Sequence, residues 1–151
     1  MAVGFFEDPV KDAALLAGTI SGEIHEHGGV NPTTIIRTDT DWAVHLRWKL
    51  TGALVPMICG KWCVHVYLES IGPGPELKLH DAIGPHYIDL NPGGNGEYSS
   101  HFDVLKGTVT AEHCSTPYKL VAAVTYLTAA GKPGPMAGFV EGPVIQFYDP
   151  S

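Results

Sequence analysis

The chain has 151 residues, of which 44% are hydrophobic and 17% are charged, with 18 glycines and 12 prolines. This length is sufficient for one buried core, and the abundance of turn residues favours short strands over helices. The formal net charge is −7 and there is no run of basic residues. Nucleic acid and anionic membrane are therefore not expected as partners, because both are bound through clustered Lys and Arg.

The N-terminal segment lacks the features of a signal peptide. It reads MAVGFFEDPVKDAALLAG, with acidic residues where a basic region is needed and a short, interrupted apolar run. No stretch is apolar for long enough to span a bilayer. The cysteine count of three is odd and leaves at least one free thiol. We expect a cytoplasmic protein with reduced thiols, and secretion after removal of a signal peptide is the alternative.

Residues 1–11 are expected to form a loosely ordered arm, and residues 12–151 a single β-sandwich domain. The segment AALLAGTISGEI alternates between apolar and polar positions and predicts a first strand. A short helix from Asp8 to Ala17 is the alternative, although Gly18 would end it early. The run TTIIRTDTDW is β-branched but polar, which is typical of an edge strand.

The centre of the fold is expected at WAVHLRWKL and WCVHVYLES, because apolar residues occupy alternate positions in both segments. We expect these two strands to pair as an antiparallel hairpin, with Pro56 in the connecting loop. Farther along, NPGGNGE is the strongest turn signal in the chain. Residues Leu120–Val124 are apolar on both faces, which is typical of a central strand that is covered on both sides.

The last strand, FVEGPVIQFY, is interrupted by Gly142 and Pro143, where a bulge or an edge is expected. Its end is apolar on both faces, so it is either covered inside the fold or paired with another chain. The spacing of the segments predicts a single antiparallel β-sandwich of about eight strands. A buried Trp on a central strand and Tyr118 at the start of a late strand resemble the immunoglobulin or fibronectin type III sandwich. The inter-sheet cysteine pair of true immunoglobulin domains is missing, and the resemblance implies architecture without any particular activity.

Histidine is the over-represented chemical group, with eight residues. If Leu50 faces Gly60 in the hairpin, His45 lies opposite His65 with Cβ atoms about 5 Å apart. Cys63 shares that face. Together His45, His65 and Cys63 could furnish three ligands of a tetrahedral zinc or copper site. An ordinary solvent face with isolated histidines explains the same pattern more simply.

Other local clusters are less complete. His25 and His27 have an H-x-H spacing beside a glycine turn, and residues 112–114 combine Glu, His and Cys on alternating sides of a strand. The acids of residues 38–41, with Asp81 and Asp89, suggest calcium. There is no G-x-S-x-G motif, and NPGGNGE lacks the lysine of a phosphate-binding loop.

We therefore expect a non-catalytic binding, assembly or structural module that contacts a protein or glycan partner. A homo-oligomeric contact through the C-terminal strand is part of this expectation. The alternative is a small metal-binding protein or metal-dependent enzyme that uses the His45, His65 and Cys63 group. A third hypothesis places an apolar small molecule inside the sandwich, where Ala122, Gly138 and their small neighbours would leave room.

Overall fold

The computed structural model describes residues 2–26, 33–72, 76–79, 86–111 and 117–150. Eleven strands lie in these ranges. The first six are β1 (Ala2–Val3), β2 (Phe5–Glu7), β3 (Ala17–Glu26), β4 (Ile35–Arg37), β5 (Trp42–Thr51) and β6 (Lys61–Ser70). The remaining five are β7 (Leu77–Lys78), β8 (His86–Asp89), β9 (Glu97–Val104), β10 (Pro117–Leu127) and β11 (Pro133–Tyr148).

The strands form two sheets that pack against each other, which confirms the predicted all-β sandwich. The smaller sheet has the order β1-β3-β5-β9. The larger sheet has the order β2-β11-β10-β6-β7, with β4 also pairing with β11 and β8 with β6. Every pairing is antiparallel except that of β4 with β11. No helix among the described residues is long and apolar enough to cross a membrane.

The predicted hairpin between the two tryptophan-rich strands is wrong. Strand β5 pairs with β3 and β9 in the smaller sheet, whereas β6 pairs with β10 in the larger sheet. The chain between them, which includes a 3-10 turn at Val55–Met57, crosses from one sheet to the other. Each strand has a single apolar face, and these two faces meet across the core instead of lying side by side. Alternation predicted the buried face of each strand correctly, but it does not specify the neighbouring strand.

An aromatic cluster joins the two sheets at the centre of the core. Trp62 on β6 is fully buried, and its ring contacts the ring of Trp48 on β5 at a centroid distance of 6.2 Å. The ring of Tyr98 on β9 lies 5.9 Å from Trp62, and that of Tyr126 on β10 lies 6.1 Å away. Edge-to-face contacts of this kind add to the stabilisation that comes from burial.

The N-terminal residues belong to both sheets, in contrast to the loosely ordered arm that we expected. Strand β1 pairs with β3 in the smaller sheet, and β2 pairs with β11 in the larger sheet. The ring of Phe6 is partly buried and fills the space beside two glycines, because a Cβ atom at Gly18 or Gly138 would lie 2.5 Å or 2.7 Å from it. The space beside Gly138, where the sequence suggested an apolar ligand, is therefore filled by the Phe6 side chain of the protein itself.

Strand β11 lies within the larger sheet. Strand β10 pairs along one side of it, and β2 and β4 pair with parts of the other side. Its register with β10 shifts between Lys119 and Val121, opposite Gly142 and Pro143, so the predicted bulge is confirmed. At the apolar end of this strand, Ile145 and Phe147 are buried inside the fold, which is the first of the two predicted arrangements.

Candidate functional site

The structure does not bring the predicted metal ligands together. His45 lies on β5 in the smaller sheet, whereas Cys63 and His65 lie on β6 in the larger sheet. All three alternate with buried core residues and therefore point away from the core, on opposite sides of the sandwich. A single zinc or copper site built from His45, His65 and Cys63 is incompatible with this arrangement. The error follows directly from the incorrect hairpin.

Cys63 and His65 share a polar neighbour on the adjacent strand. The His65 Nε2 atom lies 3.4 Å from Thr125 Oγ1, and the Thr125 hydroxyl donates to the Cys63 carbonyl oxygen at 3.5 Å. Burial raises the pKa of the Cys63 thiol above its ordinary value. A raised pKa keeps this thiol protonated at neutral pH, and only the thiolate is a good nucleophile or metal ligand. Cys59 and Cys63 are both free.

Three histidines instead form a row across the outer face of the smaller sheet. His45 on β5 is directly opposite His101 on β9, and the two rings stack with centroids 5.0 Å apart. The ring of His25 on β3 lies 4.5 Å from that of His45. We call His25, His45 and His101 the histidine ladder. The sequence analysis missed it because it depends on the register of three strands that are far apart in the sequence.

Carboxylates flank both ends of the histidine ladder. His25 Nε2 lies 3.0 Å from Glu23 Oε2, and His101 Nε2 lies 3.1 Å from Asp103 Oδ1. The pKa of His45 is lowered by partial burial, followed by repulsion from the imidazoles of His25 and His101. His45 is therefore harder to protonate than a free imidazole when no anion is present.

The ladder is not arranged as a metal site. The rings of His45 and His101 are inclined by only 16°, so they stack instead of directing their nitrogens at a common point. Within the ranges that the structure describes, no group of three or more His, Cys, Asp or Glu side chains is placed to hold a metal ion. The acidic loop that suggested calcium is already engaged, because both oxygens of Asp39 accept bonds from Arg37 at 2.9 Å. The pKa of Asp39 is lowered accordingly. Asp81 lies outside the described residues.

The remaining local clusters give no site. His27 and residues 112–114 lie outside the described residues, so the H-x-H and Glu-His-Cys hypotheses stay predictions. Ser99 and Ser100 lie on opposite sides of β9, the first exposed and the second buried. An open depression of about 390 Å³ lies beside the ladder. It is lined by His45, Leu46, Arg47, His86, Ser99, Ser100 and His101.

The outer face of the larger sheet differs in chemistry from that of the smaller sheet. On the smaller sheet most outward positions are polar, as in the row Thr19, Lys49 and Glu97. On the larger sheet, apolar side chains occupy many of the outward positions, and several of them are exposed. We define the apolar face by six of these residues, namely Phe5, Ile35, Val121, Phe139, Val144 and Tyr148.

Aromatic and charged groups complete the apolar face. The rings of Phe5 and Phe139 lie on neighbouring strands with centroids 5.3 Å apart, and Phe5 is 60% exposed. Charged residues of both signs lie among these apolar side chains on the same side of the sheet. They include Glu7, Lys61, Glu69, Lys78, Lys119 and Glu141. Glu141 is directly opposite Val121, and Lys119 is directly opposite Val144, so the face combines apolar and charged groups.

Comparisons with known proteins assign no family. No family model matches the chain, and no curated protein does. A β-glucosidase from Listeria innocua, solved in complex with glucose, aligns over 85% of this chain with a TM-score of 0.43 and 11% identity. This chain spans only 16% of that glucosidase chain. A Niemann-Pick type C2 protein from Japanese carpenter ant aligns over 95% of this chain and 98% of its own, with a TM-score of 0.35 and 10% identity. These likenesses are too distant to support an activity.

Proposed function

We propose that this protein is a non-catalytic assembly module whose apolar face packs against the same face of a second copy. The observation that carries the proposal is the contrast between the two outer faces, one mostly polar and the other with several large exposed apolar side chains. Exposed apolar side chains that are contiguous on one face indicate an interaction surface, whereas scattered ones do not. Strand β10 supports this interpretation, since Val121 and Ala123 alternate with fully buried core residues and so make the strand apolar on both sides.

The size of the apolar face suits a stable contact between proteins. Strand β10 has 11 residues. A strand of that length extends about 36 Å, and five strand positions spaced about 4.8 Å apart cover about 24 Å, so the whole outer face of the larger sheet measures at most about 860 Å². Standard interfaces bury about 800 Å² on each partner. A face-to-face pair would thus bury an area typical of a specific dimer.

Charge favours a second copy as the occupant. The face also carries lysines and glutamates in similar numbers, and Lys119 donates to Glu141 at 3.1 Å within the chain. A two-fold contact joins identical patches, so a patch with both signs can place lysines opposite acids. The net charge of −7 gives two copies only a long-range repulsion, which is screened at physiological salt.

Protein suits this face better than glycan. Ile35, Val121 and Val144 are aliphatic and offer no hydrogen-bond partner to sugar hydroxyls. Burying those hydroxyls against aliphatic side chains would leave them unsatisfied, which costs free energy. The aliphatic side chains of a matching sheet face carry no such penalty.

The proposal is tested by the mass of the wild-type protein in solution. Sedimentation equilibrium over a wide range of protein concentrations should give a mass that rises from that of one chain toward that of two. Interfaces of about 1,600 Å² have affinities from micromolar to picomolar, so the dissociation constant is expected at about micromolar or below. A single-chain mass at every concentration would refute self-association and leave a different protein as the occupant of the face.

A further inference from the structure

The opposite side of the sandwich carries a second surface feature, which is independent of the proposed self-association. The depression beside the histidine ladder brings together an arginine, three histidines and two serines. Arg47 is exposed and aligned in register between Ser21 and Ser99. Guanidinium, imidazolium and hydroxyl groups are all donors to anionic oxygen. The chemistry of the lining therefore suits an oxyanion.

Arg47 is available to bind a ligand. Elsewhere on the surface, Arg37 is paired with Asp39 at 2.9 Å, and Lys49 on the same face with Glu97 at 3.5 Å. By contrast, Arg47 forms no ion pair with any carboxylate in the described ranges. A cation that projects from a sheet without an acidic partner is pre-positioned for an external anion.

The charge around the depression depends on pH. The titratable and charged groups that face His45, or line the depression with it, come from four strands. They are Glu23 and His25 on β3, Arg47 on β5, His86 on β8, and His101 and Asp103 on β9. Arg47 is cationic throughout the working pH range, and each imidazole that takes up a proton as the pH falls adds positive charge beside it.

We propose that Arg47 and the histidine ladder form a binding site for a tetrahedral oxyanion whose affinity rises as the pH falls. The Arg47 guanidinium binds two oxygens in a bidentate manner, and positive charge on the imidazoles of His45 and His101 attracts the same group. The bound anion offsets the mutual repulsion of the imidazoliums. Anion binding and proton uptake by the ladder are therefore coupled, and each favours the other.

Sulfate is the appropriate probe, because its charge is constant over the relevant pH range and any pH dependence then belongs to the protein. Calorimetric titration at about pH 5.5 and about pH 8, with chloride at matched ionic strength as the reference, should show binding at least about tenfold tighter at the lower pH. Titration with O-phosphoserine alongside sulfate distinguishes an esterified group from the free ion. Tighter binding of O-phosphoserine assigns the former and equal binding the latter, and both support the site.

Two variants locate the site. Arg47→Gln should weaken sulfate binding at acidic pH by about tenfold or more, since it removes the only full-time cation of the depression. Lys49→Gln, on the same strand and already paired with Glu97, should change it by less than about twofold. Circular dichroism should show that both variants are folded. The proposal is overturned if sulfate binds no better than chloride to the wild type, or if Arg47→Gln binds sulfate like the wild type.

Discussion

Trp62→Ala is expected to reduce the free energy of unfolding by about 3–5 kcal/mol, the range typical of a large aromatic residue removed from a core. Trp62 is fully buried, and its ring lies within 6.2 Å of those of Trp48 in the opposite sheet and Tyr98 at its edge. The cavity would thus open between the sheets, where neither sheet can close it alone. The free energy of unfolding of a native domain is only about 5–15 kcal/mol, so the variant should be close to unfolding.

The measurement is urea unfolding followed by circular dichroism, with all proteins at one concentration so that association contributes equally. Leu105→Ala is the control, since Leu105 is 68% exposed and its loss should change stability by less than about 0.5 kcal/mol. If Trp62→Ala does not fold, Trp62→Phe should still show a measurable loss. A cost below about 1 kcal/mol for Trp62→Ala would contradict the role of the aromatic cluster in joining the sheets.

Val121→Lys is expected to weaken self-association by about 100-fold or more. Val121 lies on β10, the middle strand of the larger sheet, with Glu141 and Tyr67 as its outward neighbours. A two-fold axis near the centre of the apolar face would bring the two introduced ammonium groups together inside a desolvated contact. Like charges in that position cost several kcal/mol. Sedimentation velocity should show the single-chain species at concentrations where the wild type is paired.

The matched control is Thr19→Lys, which places the same side chain at an exposed position on the outer face of the smaller sheet. It should leave the association constant within about twofold of the wild-type value, because that face takes no part in the proposed contact. Equal weakening by both substitutions would indicate a non-specific effect of added charge. A wild-type mass for Val121→Lys would show that the contact lies elsewhere.

The sequence predicted the all-β class and the buried faces correctly because both depend on local pattern. In β5 and β6 the tryptophans, valines and leucines point inward as their period-two alternation required. The pairing partner of each strand could not be predicted in this way. A one-sided apolar strand gains the same burial whether its sequence neighbour lies beside it or across the core, so alternation could not reject the hairpin.

The histidine ladder could not be predicted for the same reason. His25, His45 and His101 are separated by 20 and 56 residues in the numbering, and only the pairing of β3, β5 and β9 places them side by side. Register over such distances follows from the whole fold. Without the register, we predicted that His45 pairs with His65, which has the same local W-x-V-H sequence but lies in the other sheet.

Strand β10 is central, as predicted, but it is covered on one face only. Its apolar residues on both faces predicted a strand covered on both sides. The core covers Leu120, Ala122 and Val124, while Val121 and Ala123 face outward and remain partly exposed. The second cover that the sequence predicts is, in our proposal, the apolar face of another copy.

Mixing two oppositely charged variants tests the central claim most directly. Val121→Lys and Val121→Glu should each be single chains when alone, because each places like charges together at the two-fold contact. Mixed in equal amounts, they should form a pair with one chain of each kind, which native mass spectrometry distinguishes from either homodimer. If the mixture contains only single chains while the wild type forms pairs, then the apolar faces do not meet each other and the proposed assembly is wrong.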